Sequence, residues 1–185
     1  MIKVYLANRP PLTIFDELEG LSVLKKGDIE QVVKDTGNHW RKIFNVYAKL
    51  IFALAIRVGC KQISEFTSWQ QYRDELLLQQ GSETELLFYP KEQRGIEYLM
   101  ESFTEVDSNS LRIIMGKSFS SKLLGAHRLK WVDDDFAYDV ETGVWVCPYF
   151  DYRQLSNLKI DRFIDLMIER SNKETINNYL SNQLE

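Results

Sequence analysis

Short apolar runs that stop abruptly at glycine or proline alternate along this chain with stretches of helical periodicity, and that alternation most restricts its fold. Ile2 to Leu6 reads as a strand closed by Asn8-Arg9-Pro10-Pro11, where two prolines without backbone donors end regular structure. Glu85 to Tyr89 stops at Pro90. Leu111 to Met115 breaks at Gly116-Lys117-Ser118, and Val144 to Cys147, after a turn at Glu141-Thr142-Gly143, breaks at Pro148-Tyr149-Phe150-Asp151. Between the first two runs, Trp40, Ile43, Phe44, Tyr47, Leu50, Ile51, Leu54 and Val58 recur at spacings of three and four. They make one wide apolar face, a core helix over His39–Val58 that Gly59 ends.

Shorter helices are expected over Thr13–Leu18 with Thr13 as cap and Asp16 and Glu17 in its first turn, over Asp28–Val33 with Asp28 as cap, and over Ser68–Gln79. Another spans Glu92–Phe103 with Ile96, Leu99, Met100 and Phe103 facing inward, and a short one runs through Leu124. Residues 129–140 read as one or two irregular strands around Asp133-Asp134-Asp135. The tail from Ser156 to Leu180 reads as a helix in two pieces joined near Ser171-Asn172. Strands separated by helices predict one α/β domain over residues 1–185, with a mainly parallel sheet flanked by helices.

Length supports that reading, since 185 residues are enough to bury roughly 70% of the unfolded surface. A net charge of −4 speaks against a protein that coats nucleic acid non-specifically, and leaves room for a local basic patch. No secretory segment is visible and the longest apolar run, Leu50 to Ile56, is too short to span a bilayer. Cys60 and Cys147 form no C-x-x-C pair and are expected to be reduced, which fits a cytoplasmic protein without a membrane partner. The two histidines, His39 and His127, stand in no metal-binding spacing, so neither metal nor cofactor is expected. Capping or packing is expected for His39 and a buried structural role for Cys147.

In open α/β sheets, ligands bind beyond the carboxyl ends of strands, which directs attention to two loops. Gly116-Lys117-Ser118 is similar to the end of a phosphate-binding P-loop, but Leu111 stands where the motif's first glycine would have to be. Two readings remain: a lysine at a strand–helix junction that attracts one phosphate, or a tight turn with a solvated lysine. From Ser108 to Val132 the chain has no acidic residue, while Arg112, Lys117, Lys122, Arg128 and Lys130 are basic. That run is either an anion-binding surface with His127 nearby or a solvated face answered by Asp133–Asp135. The second loop offers Tyr149, Phe150, Asp151, Tyr152 and Arg153. Stacking rings beside a carboxylate and a guanidinium suit a planar base, and equally such rings pack a loop onto a core.

The order of these pieces resembles the uracil-DNA glycosylase superfamily. Val4 to Pro10 resembles its early strand and water-positioning loop, Ile113 to Lys117 and on to Gly125 its strand ending in Gly-Lys, and Val144 to Phe150 the last strand that delivers a DNA-clamping loop. The resemblance implies a three-layer α/β/α fold with a mainly parallel central sheet. Its catalytic motifs depart: Ala7 replaces a glycine, Arg9 stands where a water-positioning Asp, Asn or Glu is expected, and the clamp histidine is replaced by Cys147 or Tyr149. A cation at Arg9 would oppose a developing sugar cation. The expectation is thus an uncharacterised bacterial family that binds nucleic acid or a nucleotide, without excision, through Arg9, Lys117, Tyr149, Phe150, Asp151 and Arg153. Two alternatives accompany it: a hydrolase or glycosylase with divergent groups, Asp151 and Asp16 being the carboxylates to test, and a protein-interaction module or homodimer built on the aromatic loop.

Overall fold

The computed structural model of the chain describes residues 1–16, 18–104 and 106–181. Its strands are β1 (Ile2–Leu6), β2 (Gly20–Leu21), β3 (Thr84–Phe88), β4 (Leu111–Met115), β5 (Leu129–Trp131), β6 (Ala137–Asp139) and β7 (Trp145–Cys147). They form one seven-stranded sheet in the order β2-β3-β1-β4-β7-β6-β5. The central four, β3-β1-β4-β7, are parallel, as the strand–helix alternation implied. Both margins are antiparallel: the β5–β6–β7 meander is joined by connections too short for a crossover, and the two-residue β2 lies antiparallel along the outer edge of β3.

The helices are α1 (Asp28–Thr36), α2 (Asn38–Val58), α3 (Lys61–Ser64), α4 (Trp69–Glu75), α5 (Gln93–Glu101), α6 (Lys117–Leu124), α7 (Asn157–Ser171) and α8 (Lys173–Leu180). Period-two alternation sends successive strand residues to opposite faces. Ile2, Val4 and Leu6, with Leu111, Ile113, Met115, Trp145 and Cys147, pack against α2, α7 and α8. Tyr5, Ile114 and Val146 face the other way, onto Phe119, Leu123 and Leu124 of α6. Ten residues of α2 are buried, which explains why its apolar stripe is so wide.

Several local expectations are corrected. Thr13–Phe15 is a single 3-10 turn without a side-chain cap, and Glu17 lies outside the described residues. Gly27, at φ 95°, takes the N-cap position of α1, and Asp28 instead accepts from the Lys25 amide at 2.8 Å. Ser68 does cap α4, but that helix stops at Glu75 because Leu77 and Leu78 turn into the core, Leu78 at φ 59°. Met100 of α5 is 45% exposed; Phe103, beyond the helix end, fills the space under the sheet and meets Tyr5 edge-on at 4.9 Å. The tail breaks where expected: Asn172, at φ 64°, ends α7 and its side chain caps α8 through the Thr175 amide.

Candidate functional site

Parallel pairing brings the carboxyl ends of β1, β4 and β7 to one edge of the sheet. The Gly116 amide donates to Cys147 O at 2.8 Å, so the loops after β4 and β7 leave side by side. Beyond them opens a cleft of about 690 Å³, within the range of small-ligand sites. Asn8 reaches it from the loop after β1, Lys117 and Ser118 from the start of α6, and Tyr149 and Arg153 from the loop after β7. Gly116 precedes α6 at φ 94°, a conformation only glycine adopts without strain, and this turn sets Lys117 at the helix's amino end.

The expected site residues divide. Lys117, Tyr149 and Arg153 line the cleft. The Lys117 ammonium lies 4.5 Å from the Trp131 ring centroid, and the Arg153 guanidinium lies 5.8 Å from that of Tyr152. Tyr149 stacks on His39 with centroids 5.7 Å apart, and its hydroxyl is 3.2 Å from His39 Nε2. Burial raises the Tyr149 phenol above its ordinary pKa, opposed by a hydrogen bond with Asn8.

The remaining three sit elsewhere. Arg9 donates to Phe15 O, Asp16 O and Leu18 O at 3.1, 2.7 and 3.2 Å, and to Tyr89 O at 2.9 Å. Its guanidinium thereby pins the loop after β1 to the segment after β3, and it borders a neighbouring cleft of about 560 Å³. Phe150 is fully buried against Tyr47, its ring in the core. Asp151 faces α2, accepting from Lys42 Nζ at 2.8 Å and the Arg153 amide at 2.9 Å. The Lys42 hydrogen bond holds its carboxyl below the usual carboxylate range. Asp16 is likewise ion-paired, with Lys91.

The basic run of residues 112–130 does not form one surface. Arg112 is buried and donates to Ser102 O at 2.7 Å. Arg128 pairs with the buried Asp139. Lys122 lies over Tyr89 at 4.3 Å and Lys130 over Tyr138 at 5.9 Å. Burial pushes the Cys147 thiol far up, so it stays protonated. Among the described residues no group of three or more His, Cys, Asp or Glu is placed to hold a metal ion, and no helix is long and apolar enough to cross a membrane.

Sequence reasoning missed Lys159 and the Asp134-Asp135 tip of the β5–β6 hairpin, which complete the cleft wall. Lys159 Nζ donates to Asp135 Oδ1 at 2.7 Å, a pairing across 24 positions that no local pattern encodes. No curated protein and no solved structure matches the chain. A family model described as "Family of unknown function (DUF6942)" matches residues 1–168, which takes in every strand and the whole cleft wall, and the chain belongs to that family.

Proposed function

We propose that the cleft beyond β1, β4 and β7 binds a nucleotide or a short stretch of nucleic acid through its phosphates, as a non-catalytic binding site. The observation that carries this reading is the pair Lys117 and Arg153. Both line the cleft, and neither makes an ion pair among the described residues. The amino end of α6 adds backbone donors on the same side, and Tyr149 offers a ring face across from them. The sequence resemblance to uracil-DNA glycosylases is in keeping with this reading, since the segments after β1, β4 and β7 that carry it lie along one edge of the sheet. Acidic Asp134 and Asp135 in the wall, with a net charge of −4, favour a nucleotide-sized ligand over a long duplex. Arg9, whose guanidinium is taken up by backbone carbonyls, fastens the fold rather than the ligand. The hydrolase alternative loses ground, since both carboxylates it would use are ion-paired outside the cleft.

Fluorescence anisotropy with N-methylanthraniloyl-ADP and with labelled single- and double-stranded DNA, at two salt concentrations, tests the reading. Lys117→Ala should weaken binding about tenfold and flatten the salt slope by about one unit. Unchanged affinity in both Lys117→Ala and Arg153→Ala would remove the cleft from consideration.

A further inference from the structure

The wall of the cleft holds a contradiction for an anion site: a carboxylate already occupies one of its three cations. Asp135 Oδ1 accepts from Lys159 Nζ at 2.7 Å, and both side chains line the same cavity as Lys117 and Arg153. We infer that the Asp135 carboxylate stands in for a ligand's anionic group on Lys159 and is displaced when such a ligand binds. The inference rests on the reading that phosphates enter this cleft, and it adds Lys159 as their third cation and Asp135 as an internal competitor.

Two features let the pair open without disturbing the fold. First, the turn that carries Asp135 is held by other groups. Asp133 Oδ1 accepts from the Asp135 and Phe136 amides, each at 2.9 Å, and Phe136 stacks on Phe163 in the core at 4.8 Å with planes 3° apart. The Asp135 side chain can therefore rotate away while its backbone stays. Second, the side chains of Asp135 and Lys159 are 31% and 39% exposed, so the pair is solvent-screened and contributes little stability. A phosphate, with higher charge and more acceptor oxygens than a carboxylate, competes well for the same ammonium.

The test is N-methylanthraniloyl-ADP binding to Asp135→Asn, with Asp134→Asn and Lys159→Met as comparisons. Asp135→Asn should tighten binding about two- to fivefold, by removing the competitor. Asp134→Asn removes the same charge from the same cleft without freeing a cation, so its gain should be clearly smaller. In a Lys159→Met background the Asp135→Asn gain should vanish. Equal gains from the two asparagine variants, or no gain from Asp135→Asn in a protein whose binding depends on Lys117, would overturn this inference and leave the anion site standing. No binding by the wild type or by any variant would overturn both. Binding that appears only in Asp135→Asn would support both. Matching urea midpoints confirm that the variants compared are folded.

Discussion

Arg128 and Lys117 belong to one basic stretch of sequence and meet opposite surroundings. Arg128 turns inward, donating to the fully buried carboxylate of Asp139 and, at 3.0 Å, to Phe103 O. Burial alone would push the Asp139 carboxyl up, but hydrogen bonds from Arg128 and Thr142 outweigh it, and the group titrates below the usual carboxylate range. Lys117 stands at the mouth of the cleft over Trp131, its ammonium without an ion-pair partner among the described residues. Arg9 behaves as Arg128 does, with four carbonyl acceptors. What separates a cation that builds the fold from one that can serve a ligand is the number of protein acceptors it meets. A guanidinium, with five donors in a rigid fork, satisfies several carbonyls at once, and so it does most of the internal fastening here.

The largest effect is expected from Arg128→Met. Leaving the buried Asp139 uncompensated should cost about 3–5 kcal/mol in urea denaturation; a loss no larger than that of a surface substitution would mean Arg128 is not structural. The same pair sets an acid limb. Because Asp139 has a lowered pKa in the folded protein, the unfolded chain takes up its proton first. The stability it contributes is complete above about pH 4 and is lost as pH falls through the folded value. Arg128→Met should flatten that limb.

Arg9→Ala should cost about 2 kcal/mol, since several carbonyls lose a charged donor, while the folded variant keeps its affinity for N-methylanthraniloyl-ADP. A tenfold loss of affinity at unchanged stability would move Arg9 into the site. The double variant Lys117→Ala/Arg153→Ala should do the reverse, leaving stability within about 0.5 kcal/mol of the parent while binding falls. The smallest effect is expected from Asp151→Asn, which loosens a partly exposed pair with Lys42 and should cost below about 1 kcal/mol. Larger loss of binding than of stability there would revive Asp151 as a site residue.

Local pattern carried much of the architecture. Strands at Ile2–Leu6 and Leu111–Met115 and the long helix ending at Val58 follow from runs bounded by Pro or Gly and from a complete apolar stripe. The two-residue β2 and four-residue α3 left no trace, being shorter than the periods that reveal a strand or helix. Of the residues that line the cleft, Lys117, Tyr149 and Arg153 stood out in the sequence because they follow strand ends. Phe150 packs into the core against Tyr47 while Tyr149 beside it lines the cleft, a split that the run of aromatic residues does not encode. Lys159 carried no signal, since it lies on an ordinary helix and matters only through a hairpin tip brought to it from elsewhere.

The order of amino acids was enough to locate the main strands and the long helix, to make the sheet mainly parallel, and to point to the loops after β4 and β7, because these depend on hydrophobic period and on turn residues read over a few positions. Only the tertiary structure decided which cations are spent on the fold and which remain at the cleft. That outcome depends on acceptors supplied by distant segments, such as Tyr89 for Arg9 and Asp135 for Lys159, and charge written along a chain does not say what it will meet in space.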